Sequence, residues 1–426
     1  MRTFCLLLVL SISACVLQAA TPAPTIDASS VVIAQDPANR KVTISYTLQQ
    51  ADAVVTVSVL TNGVPIPGAA LTNMTGGAFT YQQMGTHTLM WDPTSTWPDQ
   101  VLTNSELSVK VTAYSIDRPP DYLVVDLAAS NREPNRYYPS AEEVPLGVTH
   151  ALYKTDRLLM RRIHAAGHEA VLGAPEWETG YNAYPQISGD NTVTSRVERC
   201  HLVVFTNDYY IGVYPFTQQQ YIHLAGTNSS SRTSMPDHLY APAENVSYAD
   251  LNGQSRAADY RTLFPAPTSL LGVLRSRTGI LFDLPLSDQW EYACRAGVGT
   301  SIYTGWNVTG SNSDDQLKAA AWFAGNANNT THPVGLKTPN NWGLYDMLGN
   351  VEEWLVTDIN RLRWEPPAPG TIVGFPPNSG NDWYETRGGH YASDWPACRA
   401  AYKCVFQYTT RRAHIGFRVV CPAQAQ

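Results

Sequence analysis

The chain has 426 residues, with 29 basic and 36 acidic side chains and a formal net charge of −7. At about 150 residues per domain this length allows two or three domains, and it can bury a core without disulfide staples. A weakly acidic chain with no basic run lacks the electrostatic footprint of a nucleic-acid binder, and a hydrophobic content of 44% excludes a disordered chain.

Only 15% of the residues are charged, against about 25% in ordinary domains. This does not indicate a membrane protein, because no apolar run after the first segment nears the roughly 18 residues a span requires. The first segment reads as a signal peptide over residues 1–20. Arg2 precedes an apolar stretch from Phe4 to Ile12, and Ala19 or Ala20 offers a small-residue cleavage point. Ile12-Ser13-Ala14-Cys15 also has the form of a bacterial lipobox, which would make Cys15 a lipid anchor. Either outcome predicts a secreted, periplasmic or cell-surface protein in an oxidising compartment. Beyond Cys5 and Cys15 the chain keeps Cys200, Cys294, Cys398, Cys404 and Cys421. Five is odd, so one thiol stays free or pairs less obviously. No C-x-x-C occurs among them, so structural zinc is not expected.

Residues 25–116 read as an all-β sandwich. Val42, Ile44, Tyr46 and Leu48 alternate with Thr43, Ser45 and Thr47, and Leu107, Val109, Val111 and Ala113 repeat the pattern. Val54–Leu60 and His87–Trp91 are further strands, punctuated by Gly63, Pro65, Pro67-Gly68 and Gly76-Gly77. The stretches VTISYTL, ADAVVTVSVL and GTHTLMWDPT resemble the Ig-like domain of flagellar-hook-cap-type proteins, which implies a spacer or docking module. Arg118-Pro119-Pro120 opens a linker or wrapping segment over 117–157, irregular except for a strand at Tyr122–Leu127. From 158 to 425 loops dominate. Thr217–Leu224 reads as a helix start with Thr217 as N-cap, and Ser287–Ala296 as a helix with Ser287 as N-cap and Gly297 as the stop. His164 and His168 have helical metal spacing but read as two exposed histidines.

Four blocks then follow in order. They are Tyr209–Gln218 (YYIGVYPFTQ), Pro242–Tyr248 (PAENVSY), Leu284–Gly297 (LPLSDQWEYACRAG) and Asn341–Trp354 (NWGLYDMLGNVEEW). The chain closes with Arg387-Gly388-Gly389 and Ile415-Gly416-Phe417-Arg418. Together they resemble the formylglycine-generating enzyme, or sulfatase-modifying factor, family over about 150–425. The resemblance implies an α+β, C-type-lectin-like fold with little regular structure. Most signature residues read as scaffold: glycines permit close backbone approach, while Trp342, Tyr345, Trp354 and Phe417 supply core area.

The resemblance also implies calcium at Asp346 and Glu353, with the carbonyls of Gly349 and Val351 completing a hard-oxygen set. The residues themselves leave another outcome open, in which Asp346 caps a turn and Glu353 pairs with an arginine. Glu352 stands where the family carries a tryptophan, and the family's other calcium site lacks a carboxylate around Trp322–Asn329.

Members of the family that make formylglycine oxidise a substrate cysteine with copper and oxygen, using two cysteines in S-Y-x-C-x4-C after R-G-G. Soft thiolates select Cu(I). Here His390 takes the serine position and Ser393 the first cysteine position, while Cys398 matches the second by distance or the strand after a shortened loop. By the second match the resemblance implies a Cys294–Cys398 disulfide, and copper is not expected. Iron chemistry of the ergothioneine-synthase type is disfavoured too, since the N-terminal region supplies only His87. His390, Ser393 and Cys398 remain the cleft candidates, with His414 a possible partner of His390 in holding a metal or ligand. Two functions follow. One is a binding or assembly module for a peptide or glycan, with Trp383, Tyr384, Tyr391 and Trp395 lining the cleft. The other is an active formylglycine-generating oxidase.

Overall fold

The structure, a computed structural model, describes residues 22–98, 107–128, 135–181, 198–253, 265–358 and 383–425. The signal segment and Cys15 lie outside these residues. Among the described residues no helix is long and apolar enough to cross a membrane.

The N-terminal unit consists of two four-stranded sheets. Val42–Gln49 is the centre of the first, paired with Val32–Gln35 and Gly85–Trp91. Ala53–Thr61 is the centre of the second, paired with Thr80–Gln82 and Leu107–Ser115. Period-two patterning sets the faces: Val42, Ile44, Tyr46 and Leu48 are at most 1% exposed, while the intervening threonines and serine meet solvent. Trp91 lies between the sheets, its indole donating to the Ala70 carbonyl at 2.7 Å.

The sandwich differs from the expected spacer in one respect. Its core does not close on itself. The apolar cluster that holds Ile44, Val57 and Trp91 continues through Tyr122, Val124, Tyr138, Tyr153, Leu159, Tyr214 and Val334. A backbone hydrogen bond from Tyr137 N–H to the Phe79 carbonyl, 2.7 Å, joins the two units. The cause lies in the 117–157 segment. Pro119 and Pro120 are buried, and their carbonyls accept from Arg162 and Tyr210. The stretch therefore packs as structure, and it supplies two strands, Tyr122–Asp126 and Arg136–Tyr138, to the next sheet.

That sheet has five strands in the order Arg136–Tyr138, Tyr122–Asp126, Arg157–Ile163, Tyr209–Gly212, Val420–Pro422. A second sheet of the same unit runs Lys403–Gln407, Trp383–Arg387, Glu352–Asp358, Ile415–Phe417. Its last pair is parallel, with Glu352 beside Ile415 and Glu353 beside Gly416. This register brings His414 and Arg418 alongside the signature carboxylates.

The Gln218–Ala225 helix begins as expected, Thr217 and Gln220 forming a reciprocal capping box. The helix expected from Ser287 spans Ser287–Arg295, but its cap position is Leu286. Ser287 is already inside the first turn, because its hydroxyl accepts from Arg387 Nε at 2.9 Å. Trp290, Ala293 and Cys294 are fully buried on one face.

Gly349 explains the signature turn. Its φ is +73°, and a Cβ there would stand 2.2 Å from the Trp322 carbonyl oxygen. Its N–H donates to the Gly388 carbonyl at 2.7 Å, tying the turn to the R-G-G stretch. Gly349→Ala is expected to cost about 2–4 kcal/mol, combining left-handed strain with a backbone clash. Urea unfolding of the two proteins measures the difference.

Candidate functional site

Buried ion pairs hold the frame around the cleft. Glu291 accepts from Arg295 Nε at 2.8 Å and from Gly173 N–H at 2.7 Å, and pairs with Arg387 at 3.0 Å. Burial opposes its charge, but Arg387 and Arg295 prevail and hold its pKa at about 2. Arg399 pairs with Glu178 and Glu198 at 2.8 Å each. The R-G-G arginine is therefore structural. It ties the strand before the cleft to the Ser287–Arg295 helix.

The cleft loop runs from Gly389 to Cys398. Ser393 and His390 close a small turn: Ser393 Oγ accepts from His390 N–H at 3.0 Å, and Ser393 N–H donates to the His390 carbonyl at 2.9 Å. The His390 ring stacks on His414 with centroids 4.0 Å apart and planes 20° from parallel. Its Nδ1 accepts from Ala392 N–H at 3.1 Å, which leaves Nε2 as the protonated nitrogen of the neutral ring. Nε2 lies 3.9 Å from Glu352 Oε1, while Glu352 Oε2 accepts from Thr386 Oγ1 at 2.8 Å.

Burial governs the protonation of this cluster. It pushes Glu352 up to about 7, only partly offset by the Thr386 hydrogen bond. Burial and then the neighbouring His414 hold His390 well below the usual histidine range. Burial, followed by Arg412 and Arg232, lowers His414 to about 4. At neutral pH the cleft holds two neutral imidazoles beside a carboxyl poised between its forms.

Of the sequence candidates, His390 and Ser393 come together at the cleft, and His414 joins them as considered from the sequence. Cys398 stands behind them, 2.9 Å from where a Gly389 Cβ would lie, with no exposure. Thr386 and Arg232 went unnoticed in the sequence. Thr386 had a signal, because it alternates with Glu385 and Arg387 on a strand and so faces Glu352. Arg232 had none; it reaches the Tyr391 hydroxyl from a loop at 2.7 Å.

The expected aromatic lining is corrected. Tyr384 and Tyr391 are each only 3% exposed. Tyr384 stacks on Tyr248 at 3.7 Å, and Tyr391 lies under Arg232, 5.0 Å from its guanidinium carbon. The hydrophobic gain of covering both rings outweighs any benefit of display. Trp395 is half-buried, and the side chain of Trp383 lies outside the described part. His164 is exposed and pairs with Asp121 at 2.7 Å.

The Cys294–Cys398 bridge is not formed. All five described cysteines are free, and only Cys200 is exposed. Cys294 and Cys398 share one apolar cluster but face different charged neighbours. Cys294 senses Arg295, Glu291, Arg387 and Glu353, whereas Cys398 senses Glu352, Asp394 and Arg399. Burial raises the pKa of Cys294, Cys398, Cys404 and Cys421 far above the ordinary thiol value, so none is a ready thiolate. In a chain lacking residues 1–20, a maleimide is expected to label Cys200 alone in the native state and four further thiols after denaturation without reductant, counted by mass spectrometry.

Asp346 and Glu353 do not meet as a pair of free carboxylates. Glu353 Oε1 accepts from Arg418 Nη2 at 3.0 Å, and Oε2 from Trp290 Nε1 at 2.6 Å. Asp346, at φ +51°, accepts from Gly335 N–H at 2.6 Å and from Asn350 Nδ2 at 3.4 Å. Among the described residues no group of three or more His, Cys, Asp or Glu side chains is arranged for a metal. As they stand, Asp346, Gly349, Val351 and Glu353 do not fit a calcium shell, which takes its charge from freely offered carboxylate oxygens.

This geometry gathers His390, Ser393, His414 and Glu352 into one largely buried cluster on a signature-built scaffold, and comparison with known proteins identifies the scaffold. Residues 179–423 match the sulfatase-modifying factor enzyme 1-like domain, more than half of the chain, and the protein belongs to that family. Chaperone protein LppX of Paenibacillus barcinonensis is 25% identical over 266 residues, 55% of this chain and 87% of that one. Inactive C-alpha-formylglycine-generating enzyme 2 of Mus musculus is 35% identical over 122 residues, 23% of this chain and 40% of that one. Among solved structures, Treponema denticola variable protein 1 covers 62% of this chain at 20% identity with a TM-score of 0.45, matched over 95% of its own length. PvdO from Pseudomonas aeruginosa matches with the same TM-score, identity and coverage of this chain, over 94% of its own length.

Proposed function

We propose that the chain is an exported binding or assembly module for a polypeptide partner, built on the formylglycine-generating scaffold without its copper oxidation. The observation that carries this is the cleft itself. Ser393 takes the place of one family cysteine, and Cys398 is a fully buried thiol far from ionisation. A bis-thiolate Cu(I) site needs two accessible soft donors, and this cleft offers a hydroxyl and two imidazoles. The similarity to a protein named as a chaperone supports a polypeptide ligand, and the similarity to a mouse protein named as inactive supports the loss of chemistry. A glycan has less support, because Tyr384 and Tyr391 are turned into the core. Export rests on the signal peptide read over residues 1–20, and the anchor on Cys15.

The test incubates the purified chain with Cu(I), oxygen and a cysteine-containing sulfatase peptide. The expected result is an unmodified peptide and no stoichiometric copper. Copper-dependent appearance of an aldehyde, trapped with a hydrazide and seen by mass, would overturn the proposal.

A further inference from the structure

A cavity of about 700 Å³ opens away from the His390 cluster. Its volume falls in the usual range for ligand pockets, about 300–1,000 Å³. None of Glu352, His390, Ser393 or His414 lines it. It forms where the sandwich hands over to the signature unit. Asp117 and Arg118, just past the strand Leu107–Ser115, make one wall. The closing strand makes another, and Ala425 N–H holds the chain beyond it to the Ile116 carbonyl at 2.8 Å. Ligand pockets favour such junctions between units.

The floor is apolar and fixed. Leu284, Val356, Val420 and Ala423 line the cavity and are buried. Asp283 N–H donates to the Val420 carbonyl at 2.8 Å, and Val420 N–H returns the bond at 2.7 Å, which sets this floor without a ligand. Leu281 and Leu286 also line the cavity, yet they are 45% and 38% exposed. Apolar surface left uncovered beside a concave site marks an interaction surface.

The charges in the walls cancel. Asp208 is held by Arg162 at 2.6 Å and Asp283 by Arg275 at 3.3 Å, and Asp117 precedes Arg118 in the chain. Without a field of one sign, the cavity does not select a charged ligand. Two carboxamides offer polar contacts instead. Gln289 Oε1 accepts from Leu286 N–H at 3.0 Å, while its Nε2 and the carboxamide of Gln424 bond to none of the described residues. A carboxamide both donates and accepts, which suits the paired N–H and C=O groups of a peptide backbone.

We propose that this cavity docks an extended, uncharged polypeptide segment. An apolar side chain of that segment rests on the Leu284–Val420 floor, and its backbone meets Gln289 and Gln424. The inference rests on the reading of this chain as a polypeptide-binding module, and it adds a place where the partner is held.

The test pans a random dodecapeptide library, displayed on phage, against the purified full chain. Enriched peptides are synthesised with blocked ends and titrated by fluorescence polarisation against the parent, Leu281→Glu, Leu286→Glu and His414→Ala. Both leucines already meet solvent, so the two Glu variants should melt with the parent. The expected peptides are uncharged around one Leu, Ile, Met or Phe. Each Glu variant is expected to bind them about tenfold more weakly or worse, and His414→Ala to bind them as the parent does. A charged consensus, or affinities that neither Glu variant changes, would remove the cavity from the account. If His414→Ala alone abolished binding, the polypeptide reading would stand and the cavity proposal would fall. A library that yields no enriched peptide would overturn both.

Discussion

Replacing Arg418 with Met is expected to destabilise the chain by about 3–5 kcal/mol, the usual cost of breaking a buried ion pair from one side. The loss comes less from the attraction removed than from what is left behind. Glu353 is 1% exposed, and without the guanidinium its carboxylate keeps only the Trp290 N–H. The carbonyls of Gly212 and Tyr345 lose donors at the same time, and each orphaned buried acceptor adds roughly 1–3 kcal/mol before relaxation. The companion variant is Arg418→Met with Glu353→Leu. Removing both charges is expected to recover much of the loss, because a buried pair contributes little over well-packed apolar groups. Urea denaturation of the parent, both single variants (Arg418→Met and Glu353→Leu) and the double variant measures the coupling. A loss in the double variant equal to the sum of the two single losses would show that the pair is not coupled.

Glu352→Gln is expected to raise stability by about 3 kcal/mol at pH 8 and to leave it unchanged near pH 4. The sign follows from linkage. A carboxyl whose folded pKa, about 7, lies above its ordinary 4.5 contributes stability that is complete below 4.5. That contribution is lost as the pH rises through about 7. A rise of this size corresponds to about 3 kcal/mol at about 1.4 kcal/mol per pKa unit. Gln removes the ionisation and can still accept from Thr386. His414 acts in the opposite sense. Its folded pKa of about 4 lies below the ordinary 6.5, so its contribution is complete above 6.5 and is lost as the pH falls through 4. In the parent chain the Glu352 trend opposes those of His414 and His390 between pH 4.5 and 6.5. The Glu352→Gln variant should therefore show an acid sensitivity that the parent masks. Melting curves between pH 4 and 8 measure it, and a variant less stable than the parent at pH 8 would contradict the assignment.

What the sequence made legible was local. Period two in Val42–Leu48 fixed the sandwich strands, and Thr217 announced its helix because a cap acts within three residues. The signature blocks announced the scaffold through glycines that sit against backbone, as Gly349 does against Trp322. Glu352 could be singled out because it replaces an aromatic. What stayed hidden depends on distant partners. Nothing near Glu353 says that Arg418, 65 positions on, will take its oxygens. Nothing in Tyr384 or Tyr391 says that each ring turns inward. The Cys294–Cys398 pairing was implied by the family resemblance, whereas both cysteines are free here and buried in one apolar cluster. The sandwich was recognised, but its open core was not, because a strand's apolar face does not name the surface that covers it.

The shared core and the closing strand also order the folding of the chain. Val420–Pro422 pairs with Tyr209–Gly212, and Ala425 N–H reaches back to the Ile116 carbonyl at 2.8 Å. The first unit is covered only once residues near Val334 arrive, and the second sheet lacks Ile415–Phe417 until nearly the whole chain exists. Contacts of such long sequence separation slow folding and leave apolar surface exposed meanwhile. A nascent or truncated chain therefore lacks a finished half. The last dozen residues supply the closing strand of both sheets.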